Sequence, residues 1–556
     1  MAPLLGGLTA GEATEPTPAK KVADITDTKN DIDNVDDAED GDDETSIERD
    51  SSAAPPHPLG VKPLGNKYLS SVPDAKLCAG LFGRDFPDEI VMMLLEGLDA
   101  TSLRLLGSTC RFLYAFCSFD ELWKALAKNQ PATWHGTWRA SFLTGSRTTT
   151  PPRVEIDTHV FSDVLHRPFV CSHADPARFA RGIPRANQIR RFADVSYDEF
   201  TSKYSSTPFV LTNSCVRKWP VLDWTLDGFT EKYSSTSFRA ESVDWPYSLY
   251  NQYMHNTVDE SPLYLFDKKF AEKMGLDLGD TVQAAESAEA LETTEALETT
   301  ETSRSTLDYW KPDCFGSDLF EVLGPQRPAH RWLIIGPARS GSTFHKDPNG
   351  TSAWNAVVRG AKYWIMFPPG AQVPGVYVSA DKSEVTSPLS IAEWLLTFHD
   401  EARETPGCIE GVCGAGEILH VPSGWWHLVV NLEAGIALTQ NFVPRAHLAD
   451  VLLFLRDRPE QVTGFARDDV ADPYALFVER LRRQYPEVLA EAETEIARRD
   501  SRRKRTWESV VRGEPTAASD ADNAEGDDGK RPKAAGGGFT FGFGFGDDDL
   551  DDDEIP

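Results

Sequence analysis

The chain has 556 residues, with 87 Asp and Glu against 56 Lys and Arg and a formal net charge of −31. That length exceeds one ordinary core and fits two to four domains, and the acidic balance argues against a nucleic-acid coat spread over the surface. No run of eighteen apolar residues exists to span a membrane, the N-terminus carries no cleavable signal, and the eight cysteines follow no disulfide-scaffold spacing, so an intracellular, reducing compartment is expected.

Residues 1–75 are acidic ("DIDNVDDAEDGDDETSIERD") and hold too little apolar surface to offset ordering entropy, so disorder is expected there. Between 78 and 128 apolar residues recur at helical spacing: Ile90, Met93 and Leu94, then Leu103 and Leu106, then Leu122, Trp123 and Leu126. This predicts a compact all-α domain. Asp85, ahead of Pro87, is the expected N-cap of its first helix, and Asp99 and Thr101 mark the start of a second. Residues 129–189 read as a connector.

From 190 to 445 the pattern turns to β. The segments "PFVLTN" (208–213), "RWLIIGP" (331–337), "YWIMFP" (363–368), "EILHVP" (417–422), "HLVVNL" (427–432) and "IALTQNFV" (436–443) are short, branched and aromatic, with Gly, Pro, Ser and Asn between them. Many short strands so punctuated suggest a sandwich or jelly roll. "VVRGAKYWIMF" reads as a hairpin turning at Arg359-Gly360. Cys408 and Cys413, lacking a second pair, read as ordinary thiols on a loop. Residues 280–305 hold two tandem EALETT units and read as a low-complexity surface insertion without a catalytic role. A helical region follows over 446–512. Its basic run "RRDSRRKR" (498–505) is either a nuclear localisation signal or nucleic-acid patch, or the solvated end of a helix. Residues 513–556, Gly/Phe-rich and then acidic, again suggest disorder.

The chemistry concentrates in "FHKDPNG" (344–350). Side chains two apart on a strand share a face, so His345 and Asp347 can converge on one ion. An imidazole and a carboxylate suit ferrous iron, and a 2-His-1-carboxylate set leaves positions open for a co-substrate and dioxygen. The missing ligand should be another histidine, and His399, His420, His427 and His447 are the candidates. His399 sits in a helical stretch and His447 begins a later helix. A strand end beside a turn favours His427, with His420 as the alternative.

"FHKDPNGTSAWNAVVRGAKYWIMFPPG" followed by "GEILHVPSGWWHLVVNLEAGIALTQNFV" resembles the JmjC oxygenases, in the phosphatidylserine-receptor-like branch of arginine demethylases and lysyl hydroxylases. The resemblance extends upstream through "YMHNTVDESPLYLFD" and "RWLIIGPARSGS" and covers residues 190–445. It implies a mainly β, double-stranded β-helix (jelly-roll, cupin-like) domain with flanking helices, and Fe(II) held by His345, Asp347 and His427. It further implies 2-oxoglutarate as co-substrate with dioxygen. Lys362 would pair with the distal carboxylate, and Tyr264, Asn355 and Thr439 would line its pocket. Ser342 stands where the animal relative has threonine, and Asn441 also matches. The implied reaction couples decarboxylation of 2-oxoglutarate to hydroxylation of a substrate C–H bond. On an N-methyl group this ends in loss of formaldehyde. The implied substrates are lysine or arginine side chains of proteins such as histones or RNA-processing factors, in the nucleus.

"FPDEIVMMLLEGLDATSLRLLGSTCRFLYAFCSFDELWKAL" in turn resembles an F-box. Such a module implies binding of residues 80–128 to the Skp adaptor of a cullin-RING ubiquitin ligase. The rival functional reading is therefore a ligase substrate receptor whose JmjC domain mainly recognises targets.

Overall fold

The computed structural model describes residues 54–127, 133–144, 158–278, 307–379, 385–388, 390–466 and 468–512. The 280–305 insertion, the acidic N-terminal stretch up to 53 and the tail from 513 lie outside the described residues.

Eight strands form the centre: β1 (Arg331–Gly336), β2 (Gly341–His345), β3 (Ser352–Arg359), β4 (Ala361–Phe367), β5 (Ile409–Gly414), β6 (Glu417–Val421), β7 (Trp426–Asn431) and β8 (Gly435–Phe442). They split between two sheets, in the orders β6-β3-β8-β1 and β5-β4-β7-β2, with every pair antiparallel. Except at β4 and β5, successive strands change sheet, which is the double-stranded β-helix. The first sheet grows to nine strands by adding Phe209–Leu211 and Arg190–Phe192 beyond β6, and Leu265–Asp267, Ser237–Ala240 and Val243–Pro246 beyond β1.

This topology overturns the hairpin at Arg359-Gly360. β3 pairs with β6 and β8, while β4 pairs with β5 and β7, so Gly360 carries the chain from one sheet to the other. Its φ of 81° favours glycine, and a Cβ there would meet the Ala434 carbonyl oxygen at 3.0 Å. The turn was readable in the sequence, but both strands bury both faces, and such strands do not reveal their partners. The loop assigned to Cys408 and Cys413 holds for Cys408 and is corrected for Cys413. Both thiols are free and buried, and Cys413 lies on β5 directly opposite Lys362 of β4.

Alternation sets what faces the barrel interior. Ala353 and Val357 of β3, Trp364 and Met366 of β4, and Val429 of β7 pack together inside. On the outside, Tyr363, Ile365 and Phe367 pack against Trp394 and Leu395 of the helix Ile391–Glu404. Trp354 and Ala356 face outward into the largest core. Among the described residues helices outweigh strands, so "mainly β" holds for the barrel and not for the whole.

The N-terminal cluster is helical, with Asp88–Glu96, Ala100–Gly107, Arg111–Cys117 and Asp120–Ala127 in succession. Asp99 caps the second of these by accepting from the Ser102 amide, but Asp85 instead ends the short helix Leu81–Arg84. The apolar face is also reassigned. Val91, Met92 and Leu95 are buried, whereas Ile90, Met93 and Leu94 are 39%, 62% and 48% exposed. Both sets satisfy helical spacing, and only the packing decides between them. Order also begins earlier than residue 75. Val61–Lys62 pairs in parallel with Val160–Phe161, a long-range contact that local composition does not report. The presumed connector holds the helices Trp138–Thr144, Asp163–Ser172 and Pro176–Phe179.

At the other end, Leu448–Asp457, Pro473–Gln484 and Pro486–Arg512 share a core with Leu319–Leu323. In the basic cluster Arg498 and Arg499 pair with Glu495, Arg499 also with Asp450, and Arg503 with Asp457. Much of its charge is therefore engaged within the chain. No helix among the described residues is long and apolar enough to cross a membrane.

Candidate metal centre

β2 and β7 are antiparallel neighbours with His345 directly opposite His427, and their rings lie 4.1 Å apart. Asp347 follows β2 in extended conformation, immediately before the turn Pro348–Gly350. One ligand atom from each of His345, Asp347 and His427 lies within 4.8 Å of the others. Each imidazole is oriented by a main-chain carbonyl two residues earlier. His345 Nδ1 bonds Thr343 O at 2.7 Å, and His427 Nδ1 bonds Trp425 O at 3.1 Å. With the proton on Nδ1, each Nε2 presents a lone pair to the common point. Burial lowers both histidines to about 4 and raises Asp347 to about 6. At neutral pH the imidazoles are neutral and the carboxylate ionised, the forms a metal requires. Asp347 Oδ2 is buried without a hydrogen-bond partner, the orphan expected of an atom reserved for a cation. These three residues fit a divalent metal.

A bulge in β2 brings Ser342 to the same interior. Val429 and His427, two apart on β7, oppose Ser342 and His345, three apart on β2. Without the extra residue, positions 342 and 345 would face opposite sides.

Deeper in the barrel Lys362 is buried and donates to Tyr264 Oη at 2.9 Å and Asn431 Oδ1 at 2.8 Å. Neither acceptor carries charge. Burial drops this ammonium from 10.5 to about 7, and its third N–H remains available for an anion. Asn431 was absent from the sequence reading, yet it sits four residues after His427 and hence on the same strand face. The two are ~13 Å apart at the rise of a strand, room for a short dicarboxylate between metal and lysine. Asn355 is buried with Oδ1 unpartnered, and Thr439, opposite it on β8, donates to Trp354 O at 3.0 Å.

Asn441 lies beside the metal cluster. Its amide donates to Asp347 Oδ1 at 3.4 Å and to Thr351 Oγ1 at 3.0 Å, so it orients the carboxylate of the metal cluster. The other candidate histidines are structural. His420 faces outward among Phe200, Phe209, Phe315 and Phe442 and bonds Ser205 O. His399 meets Tyr363 and Glu410, and His447 meets Ser352.

The ligand turn is held from outside the barrel by Asn349, whose φ is 56°. Its Nδ2 donates to Thr463 O at 3.0 Å, and its Oδ1 accepts from Thr463 N at 3.1 Å. Asn349→Ala removes both bonds and leaves an alanine in the left-handed region, which costs about 1–3 kcal/mol for the backbone alone. Metal titration of this variant is expected to show roughly tenfold weaker iron binding, the scale of a lost supporting contact. Asn349→Gly relieves the backbone but not the bonds and should fall between. Wild-type affinity in both would remove Asn349 from the support of Asp347.

Residues 197–447 match the cupin-like domain family. An arginine-specific demethylase of Arabidopsis thaliana, JMJ22, is 33% identical over 476 residues, which is 82% of this chain and 88% of the relative. The chain belongs to the JmjC family. The bifunctional arginine demethylase and lysyl-hydroxylase psr-1 of Caenorhabditis elegans is 31% identical over 313 residues, 53% of this chain and 68% of that one. The human 2-oxoglutarate and iron-dependent oxygenase JMJD4 is 34% identical over 152 residues, 26% of this chain and 34% of its own. Iron and 2-oxoglutarate are thus named for a relative of this JmjC chain. The iron fits the His345, Asp347 and His427 donors, and a dicarboxylate fits the uncompensated ammonium of Lys362.

Proposed function

We propose that this JmjC domain oxidises lysine or arginine side chains of proteins, by hydroxylation or by demethylation. The single observation that carries the reading is the pairing, within one barrel, of the metal cluster with a buried lysine that meets no carboxylate among the described residues. The names of the plant and nematode relatives, which act on arginine or lysine, give the substrate class. Iron bound with 2-oxoglutarate and dioxygen supplies an oxidant able to take a hydrogen from a C–H bond. Within the chain, His345, Asp347 and His427 would hold the metal. Lys362 takes the distal carboxylate, with Tyr264 and Asn431 holding its ammonium. Ser342, Asn355 and Thr439 line the space between, and the apolar interior around Trp364 keeps water out.

The test is incubation of full-length protein with iron, 2-oxoglutarate and methylated or unmethylated lysine and arginine peptides from histones and splicing factors. Mass spectrometry distinguishes a gained oxygen from a lost methyl group. No change on any peptide, with succinate release no greater than from heat-inactivated protein, would overturn the reading.

A second function is supported by one surface. Ile90, Met93, Leu94 and Leu105 are exposed on the N-terminal helices, Leu105 by 66%. A groove beside them is lined by Phe82, Leu94, Leu98, Leu105, Leu106 and Thr109. Exposed apolar groups so clustered mark a partner face. We assign it to the Skp adaptor of a cullin-RING ligase, as the F-box resemblance suggests. The double variant Leu94→Glu/Leu105→Glu should lose adaptor capture in a pull-down by more than about tenfold, since two apolar anchors are worth over 1.4 kcal/mol together. Succinate release should stay unchanged. Undiminished capture would remove the adaptor assignment.

A further inference from the structure

Both acceptors of the Lys362 ammonium trace back to a single buried residue, Asp259, one through its main-chain carbonyl and the other through its carboxylate, and part of what holds Asp259 comes from the N-terminal helical module. Asp259 Oδ2 accepts from Trp138 Nε1 and from Tyr253 Oη, each at 2.8 Å, and Lys124 Nζ lies 4.0 Å away. Lys124 belongs to the helical cluster, which the connector helix Trp138–Thr144 extends into one module by donating its Trp138 and Arg139 amides to Asp120, and Tyr253 belongs to the JmjC domain. Trp138 is itself fixed. Its amide donates to Asp120 Oδ2 at 2.8 Å, and its ring packs on Trp134, Trp245 and Tyr253.

From Asp259 two routes lead to Lys362. In the first, Arg339 Nη1 donates to Asp259 O at 2.8 Å. Arg339 lies in the turn between β1 and β2 at a φ of 74°, a conformation a non-glycine residue keeps only when its surroundings impose it. That turn grips Asn431 from both sides of its backbone. Arg339 N donates to Asn431 O, and Asn431 N donates to Ser340 O, both at 2.8 Å. Asn431 Oδ1 is one acceptor of Lys362. In the second, Tyr253 Oη, besides donating to Asp259, accepts from Leu263 N at 2.7 Å. The next residue is Tyr264, whose hydroxyl is the other acceptor.

We propose that the helical module is a positioning element of the co-substrate pocket: Trp138 and Lys124 fix Asp259, and Asp259 fixes the two groups that aim Lys362. The inference rests on the oxygenase reading, in which Lys362 meets the distal carboxylate of 2-oxoglutarate. A charged contact of this kind is sensitive to displacement of its donor by a fraction of an ångström to one ångström. A module that served only as a cap would leave co-substrate affinity untouched.

The experiment uses the full-length protein loaded with Mn(II) without oxygen, and titrates 2-oxoglutarate by calorimetry. Trp138→Phe removes one N–H donor and keeps most of the ring. Lys124→Met removes the nearby charge and keeps the stem. Both lie outside the barrel. In each variant 2-oxoglutarate is expected to bind roughly three- to tenfold more weakly, as for the loss of an outer supporting contact. Mn(II) affinity should be unchanged. In turnover assays KM for 2-oxoglutarate should rise while kcat at saturation stays near wild type. A lower melting temperature with wild-type 2-oxoglutarate affinity would overturn the proposal, because that is the signature of a merely structural interface. Wild-type protein that binds no 2-oxoglutarate would overturn the oxygenase reading and this inference together. Failure of the inference alone leaves wild-type binding intact.

Discussion

Replacing His345 by alanine is expected to bring succinate release from 2-oxoglutarate to background, a loss greater than about 100-fold, since even an outer partner of a metal ligand is worth 10–100-fold. The reason is geometric. His345 and His427 face each other across β2 and β7, and among the described residues no further donor joins this cluster to replace the lost imidazole. Iron should fail to bind at micromolar concentrations. The metal-free protein should keep its fold, because the substitution also removes a half-buried imidazole whose protonation burial already disfavours. Equal turnover in wild type and His345→Ala would sink the iron assignment.

Lys362→Met should separate function from stability in opposite directions. The variant loses the cation for the distal carboxylate, and 2-oxoglutarate affinity should fall by more than about 30-fold, the lower end for truncating a buried charged contact. Stability of the metal-free protein should rise by about 1–2 kcal/mol near pH 6. That is the part of a buried charge's penalty left after Tyr264 and Asn431 lose their donor. The sign follows from burial, which drops Lys362 from 10.5 to about 7. A depressed lysine penalises the folded state fully below about pH 7, and the penalty fades as pH rises toward 10.5. The stability gain should therefore shrink from pH 6 to pH 10 in denaturant titrations. The same depression makes wild-type 2-oxoglutarate binding level below pH 7 and progressively weaker above it, by up to roughly tenfold per pH unit, because the bound lysine must then take up a proton. A gain that grew with pH would contradict an uncompensated buried lysine.

Most of the strand content was legible, because short β-branched and aromatic runs bounded by Gly, Pro and Asn have few alternatives. The His345 and Asp347 spacing was weak by itself, and the pair became legible with a third histidine and the longer motifs around both ligand strands. The preference for His427 over His420 came from local logic, a strand end beside a turn. The structure adds that His427 alternates into the barrel while His420 alternates into an aromatic cluster outside it. Asn431 was missed although the alternation that places His427 places it too. The signal was there, but an isolated asparagine at a strand end usually reads as a cap.

What the sequence by itself determined is the set of locally encoded features: helical and strand periodicities, the turn at Gly360, the Asp99 cap, and the donors offered to a metal. What only the tertiary structure decided depends on partners far away in the chain. The turn at Gly360 joins two sheets and not two neighbouring strands, because both strands are apolar on both faces and either pairing satisfies their pattern. Helical spacing allowed two apolar faces on Asp88–Glu96, and packing buried Val91, Met92 and Leu95 while leaving Ile90, Met93 and Leu94 in solvent. Val61–Lys62, inside the stretch expected to be disordered, pairs with Val160–Phe161 across about 100 residues. Asp259, unremarkable in sequence, became the junction between the helical module and the lysine that awaits a carboxylate. A buried acid acquires that role only from the groups that folding brings to it.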